Sequence, residues 1–233
     1  PNLLLRPCSQ TSGGTSVHRH PGPGASGFVS VARHPVGWLA RGLLDSEIRG
    51  QDHLPANGPY VVAANHLSLI DPVLVTLAVG RLVRFLALDE LFGQGRVLDQ
   101  LMYYFGSIPL SRERPPFGAL KEGLEVLDTG NILGVFPEGA RALHWRERTI
   151  KRGAAWLSIA TGAPIVPCAI TGTEATLSLT NPGIHIPTAR LSLHPPLHPA
   201  PYMDREDPLG AMMDDWVATL DGELKHWQPR GLS

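Results

Sequence analysis

Cysteine is nearly absent. The 233 residues hold two, Cys8 and Cys168, too few and too differently placed for a disulfide framework. Cys8 lies in a polar stretch and Cys168 in the apolar run Ile165-Val166-Pro167-Cys168-Ala169-Ile170, where a thiol behaves as a small hydrophobe. That usage fits a reducing, cytosolic compartment. No stretch reaches the roughly 18 apolar residues that a membrane-spanning helix requires, which leaves attachment to a membrane surface open. Leu3-Leu4-Leu5, followed by Arg6, is too short a run for a signal peptide, so export is not expected. An excess of positive charge is missing as well. A formal net charge of −1 speaks against nucleic acid as the main partner, because such proteins neutralise phosphates with a strong basic surplus.

Pro, Gly, Ser and Thr dominate residues 1–27, a composition that buries too little apolar surface to offset the entropy of ordering. This segment is read as a flexible tail. His18 and His20 within it, and His34 beyond, are loosely spaced and are read as solvated rather than as a metal site. From 28 to 48 apolar residues alternate with arginines, as in Trp38-Leu39 and Arg41. Such an amphipathic helical segment suits either a membrane interface or a cover over the core. Pro35 must start or break any helix there. Residues 49–233 form the remaining domain.

Within that domain strand-like and helix-like patterns alternate, which predicts a single α/β domain with a central, mostly parallel β-sheet flanked by helices. Five strands are expected, at Tyr60–Ala64, Val83–Leu88, Ile132–Phe136, Ile165–Ile170 and Arg190–His194. Phe117, Leu120, Leu124 and Leu127 recur at helical spacing, with Gly130 placed to cap the end. Further helices are expected from Arg152 to Ala160 and from Pro208 to His226.

Chemistry is expected where the first of these strands ends, at Asn65-His66-Leu67-Ser68-Leu69-Ile70-Asp71-Pro72. Asp71 before Pro72 reads as an N-cap followed by the first helical residue. Residues five apart on one helix point about 140° apart at 3.6 residues per turn, so a loop must bring His66 to Asp71. A carboxylate bound to one imidazole nitrogen fixes the tautomer and leaves the other nitrogen free to take a proton. Lying in a loop, His66 is expected to contribute little packing. Ser68 invites a Ser-His-Asp reading, but its neighbours lack the glycines of a nucleophile elbow, and it is read as a local hydrogen-bonding residue.

Further along come Gly106-Ser107-Ile108-Pro109-Leu110-Ser111-Arg112, Phe136-Pro137-Glu138-Gly139 and Ala163-Pro164-Ile165-Val166-Pro167. With Asn65-His66 and Asp71 these blocks, in this order over residues 49–172, resemble the glycerolipid acyltransferase family typified by 1-acyl-glycerol-3-phosphate acyltransferases. The resemblance implies a glycerol-3-phosphate acyltransferase-like fold, His66 as catalytic base and Asp71 as its orienting partner. It also implies that Asn65, Arg112, Glu138, Gly139, Arg141 and Lys151 contact the substrate, with the glycerol-phosphate part near Arg112, Glu138 and Gly139. The implied partners are acyl-CoA or acyl carrier protein as donor, a lysophospholipid as acceptor and a membrane surface, with no metal or resident cofactor. The implied location is peripheral on the cytoplasmic membrane face, or the cytoplasm.

Physical chemistry supports those residue types. Arg offers a planar fork of donors to phosphate oxygens. Glu138 suits orienting Arg112 or Arg141, or holding an acceptor hydroxyl, rather than acting as a second base. Between Gly139 and Gly153 the chain carries Arg141, Arg146, Arg148, Lys151 and Arg152 against Glu147, a local surplus suited to an anionic substrate or bilayer. The family pattern Phe-Pro-Glu-Gly-Thr-Arg-Ser is met here with Ala140 and Ala142, so two hydroxyls suited to a polar head group are missing. Two other readings use the same residues: a His-Asp hydrolase with water as acceptor, and a lipid-binding module without catalysis.

Overall fold

The computed structural model describes residues 47–88, 108–110, 117–142, 144–174 and 189–226. The tail at 1–27, all but the last two residues of the 28–48 segment, and Arg112 lie outside that set.

Seven strands form one sheet: β1 (Glu47–Arg49), β2 (Tyr60–Ala64), β3 (Val83–Leu88), β4 (Ile108–Leu110), β5 (Ile132–Val135), β6 (Ile165–Thr171) and β7 (Arg190–Leu193). Their order is β1-β7-β6-β2-β5-β3-β4. Every pairing is parallel except β6 with β7. The five expected strands are present to within one residue at each end. The two additional ones, β1 and β4, are three-residue edge strands, too short to display a period of two. Glu47 and Ile48, at the end of the segment expected to be an amphipathic helix, belong to β1.

Among the described residues the α-helices are α1 (Asp71–Val79), α2 (Phe117–Asp128), α3 (Gly153–Thr161) and α4 (Pro208–Leu224). Alternate residues of a strand face opposite sides, and β2 shows why its sequence is apolar throughout. Tyr60, Val62 and Ala64 pack with α1 residues Leu74, Val75 and Ala78, while Val61 and Ala63 pack with α3 and α4 residues including Leu157, Met212 and Trp216. A strand covered on both sides needs hydrophobic residues at every position.

Pro167 sits inside β6 opposite Ala63 and has no N–H to offer. Next to it, the Ala63 carbonyl accepts from the indole Nε1 of Trp216, 3.0 Å away, which ties α4 to the centre of the sheet. Cys168 is fully buried, and burial pushes its thiol up, away from the reactive thiolate form.

The helix boundaries refine the sequence reading. Ile70, not Asp71, is the N-cap of α1, so Asp71 is its first residue and Pro72 its second. Helix α3 begins after Arg152, and α4 ends at Leu224. No described helix is long and apolar enough to cross a membrane.

Candidate active site

Strands β2 and β5 are parallel neighbours, so the segments that leave them emerge side by side at the carboxyl end of the sheet, the usual ligand crevice of α/β folds. The first carries His66 and the second Glu138.

His66 Nδ1 lies 2.8 Å from Asp71 Oδ2. The same oxygen accepts the backbone N–H groups of Leu67 and Ser68, each at 2.7 Å. The Asp71 side chain is fully buried and that of His66 is 13% exposed. A carboxylate can only accept, so Nδ1 carries the hydrogen and Nε2 keeps its lone pair for an incoming proton. Moving Asp71 from the capping position into the first turn is what lets its carboxylate fold back over the loop instead of capping its own helix. Ser68 is buried, and its hydroxyl accepts weakly from the Ile70 N–H at 3.4 Å.

The Phe136–Ala142 segment holds the His66 peptide at both ends. Glu138 Oε2 accepts the His66 N–H at 2.7 Å, and the Ala142 N–H donates to the His66 carbonyl at 2.9 Å. Glu138 therefore serves the backbone of His66, a role outside those considered from sequence. Burial, reinforced by the nearby Asp71 charge, raises the Glu138 carboxyl to about 7, against the lowering effect of the His66 hydrogen bond. The His66 ring lies flat against Phe136, with centroids 4.0 Å apart and planes 13° apart, so it is better packed than its place in a loop suggests.

Asn65 is not extended toward a substrate. Its Nδ2 donates to the Ile170 carbonyl at 2.9 Å and its Oδ1 accepts the Ile170 N–H at 2.7 Å, making it a buried strut between the ends of β2 and β6. Gly139 adopts φ 72°, a left-handed conformation that favours glycine. The Lys151 side chain lies across it, so closely that a Cβ at 139 would stand 2.3 Å from Nζ. Lys151 is held in turn by its N–H to the Pro137 carbonyl at 2.8 Å. Arg141 is partly buried and lies within electrostatic reach of Asp71.

The basic surplus is smaller than the sequence suggests. Arg146 pairs with Asp221 at 3.5 Å and Arg152 with Asp207 at 2.8 Å, both acids coming from the α4 region. Of the other cations, Arg148 and Lys151 border an open hollow of about 340 Å³ that Glu138, Gly139, Ala140 and Glu147 also line. Of the residues proposed from sequence, His66, Asp71, Glu138, Gly139, Arg141 and Lys151 thus gather around one stretch of chain, while Asn65 acts from behind it.

Residues 45–171 match the model of the acyltransferase family, more than half of the chain, and the protein belongs to that family. Among its relatives, the 1-acyl-sn-glycerol-3-phosphate acyltransferase of Bacillus subtilis is 29% identical over 173 residues, 72% of this chain and 82% of that one. The human 1-acyl-sn-glycerol-3-phosphate acyltransferase alpha is 34% identical over 125 residues, 52% of this chain and 44% of its own length. The chain also spans less than half of its plant relatives, including chloroplastic LPAT1 of Arabidopsis thaliana at 43%. In fold it is similar to the crystal structure of the 1-acyl-sn-glycerophosphate (LPA) acyltransferase PlsC from Thermotoga maritima. The TM-score is 0.65 at 22% identity, covering 87% of this chain and 89% of that one.

Proposed function

We propose that this acyltransferase moves a fatty-acyl group from acyl-CoA or acyl carrier protein to the free hydroxyl of a lysophospholipid. The acceptor assigned is 1-acyl-sn-glycerol-3-phosphate and the product phosphatidic acid. The observation that carries the reading is the 2.8 Å contact between His66 Nδ1 and the buried Asp71 carboxylate, which prepares Nε2 as a base.

In this mechanism Nε2 takes the acceptor's proton as its oxygen attacks the thioester carbon. The tetrahedral oxyanion then collapses, the carbon–sulfur bond breaks, and the proton passes to the departing thiolate. General-base assistance of this kind is worth about 10²–10⁴ in rate. Arg112, together with the cationic rim formed by Arg141, Arg148 and Lys151, is assigned to the acceptor phosphate. Glu138 and Gly139 shape the wall between that rim and the base. Ala142 contributes a backbone N–H, so the absent hydroxyl at 142 costs the His66 clamp nothing. The names of the relatives support the choice of acceptor, and a lipid acceptor implies work at a membrane face.

Incubation with labelled acyl-CoA, with and without lysophosphatidic acid, tests the assignment. Labelled phosphatidic acid formed only when the acceptor is present is the expected result. Release of free fatty acid with no acylated lipid would make the same His-Asp pair a thioesterase. Acylation of a different lyso-lipid, such as an aminolipid precursor, would reassign the acceptor.

A further inference from the structure

Phe136 follows β5 directly and touches the base. Behind it the Phe85 ring lies with its centroid 5.2 Å from that of Phe136 and its plane 17° away. Phe85 is fixed by its partner in register, Gly134, where an added Cβ would stand 2.3 Å from the Phe85 ring. A series of contacts therefore runs from the middle of the sheet through Gly134, Phe85 and Phe136 to the His66 imidazole.

Asp71 holds the imidazole by one edge, and a single hydrogen bond at Nδ1 leaves the ring free to tilt about that bond. A flat contact on its face removes the tilt. The face contact is also sensitive to charge. A neutral imidazole on a phenyl face gains little beyond dispersion and buried area, whereas an imidazolium is attracted to the negative face of the ring. Charged groups near the base include Asp71 at Nδ1, Glu138 on the His66 N–H, with Arg148 and Glu147 within electrostatic reach of Glu138, and Arg141 near Asp71.

We propose that Phe136 is a positioning residue whose ring face holds the His66 imidazole level and stabilises the positive charge it acquires on taking the acceptor's proton. The proposal rests on the reading of His66 as the base. Because the contact strengthens as the ring is protonated, it favours the transition state over the ground state, the condition for raising turnover rather than merely improving binding.

The test is a histidine NMR titration of the whole protein, paired with transfer kinetics. The His66 signal is identified by its loss in His66→Gln. In Phe136→Leu the His66 pKa is expected to fall by about half to one and a half pH units, and kcat by about twofold to thirtyfold, with KM little changed. Phe136→Tyr, which keeps the ring face, should restore both. Phe136→Met removes the ring but offers a flexible apolar side chain that can fill the gap, and it provides the same reading if the leucine variant fails to fold. An unchanged His66 titration in a folded, ring-less variant overturns the proposal, whatever the activity. Full transfer activity in His66→Ala overturns instead the assignment of the base, and the two failures are thereby told apart.

Discussion

Two loops meet at the site and are held by opposite means. The one joining β2 to α1 is held from within: the buried Asp71 carboxylate collects three donors, and the His66 peptide is gripped by Glu138 and Ala142. The basic loop after Gly139 is held at its rim, by Arg146 to a half-buried Asp221 and by Arg152 to an exposed Asp207, both arginines being exposed. It also has deeper anchors, an aromatic one among them. Trp145 packs on Trp216 at 5.6 Å and donates from Nε1 to Asp221 at 2.7 Å. Charge-assisted hydrogen bonds shielded from water are strong and costly to leave half made, whereas exposed ion pairs contribute about 0–1 kcal/mol. The loop carrying His66 is therefore the one held by buried, charge-assisted contacts.

Asp71→Asn should break the first loop most severely. It removes the charge that orients and compensates the imidazole, and transfer should fall by about 10²–10⁴. Stability should drop by about 1–3 kcal/mol as the gathered donors lose a charged acceptor. Steady-state assays alongside urea denaturation separate the two effects, and near-normal activity would mean that the inner loop does not depend on this carboxylate.

Glu138→Gln sharpens the comparison through pH. The folded protein holds the Glu138 carboxyl at about 7, above the ordinary 4.5, so the native state binds this proton more tightly than the unfolded chain does. The resulting stabilisation is fully present below about pH 4.5 and is lost as pH rises through about 7, at up to about 1.4 kcal/mol per pH unit in between. Gln cannot ionise. The variant should show a flatter decline in stability between pH 5 and 7.5 while its amide oxygen still accepts the His66 N–H. Identical slopes in chemical denaturation for the two proteins would contradict the assignment.

Gly139→Ala should cost about 1–2 kcal/mol, because an L-residue resists φ 72°; displacing the flexible end of Lys151 adds little. Thermal unfolding measures the effect. The smallest effect belongs to the rim. Arg146→Ala and Arg152→Ala should each change stability by less than about 1 kcal/mol, and a larger loss in either would show the basic loop to be as firmly built as its neighbour.

Where runs of side chains announce themselves by period, the sequence was legible. The strands at 60–64 and 165–170, buried along their whole length, read as unbroken apolar stretches. The amphipathic helix from Phe117 and the turn that brings His66 to Asp71 followed from spacing and chain geometry. The Glu138 contact did not, since it joins a side chain to a backbone amide 72 residues away, and backbone groups leave no mark on composition. The part Asn65 plays in the fold was hidden for a related reason, since both polar atoms of its side chain meet Ile170 on β6. The surplus of cations shrank once α4 supplied Asp207 and Asp221 from outside the motif. The Phe136 stack needed β3 and β5 side by side before it could be seen.

Acyl transfer by purified His66→Ala, measured with acyl-CoA and lysophosphatidic acid and accompanied by circular dichroism, tests the central claim most directly. A folded protein whose turnover has dropped by at least about a hundredfold is the predicted result. A folded variant that transfers acyl groups at the parental rate would contradict it, and the base would have to be sought elsewhere.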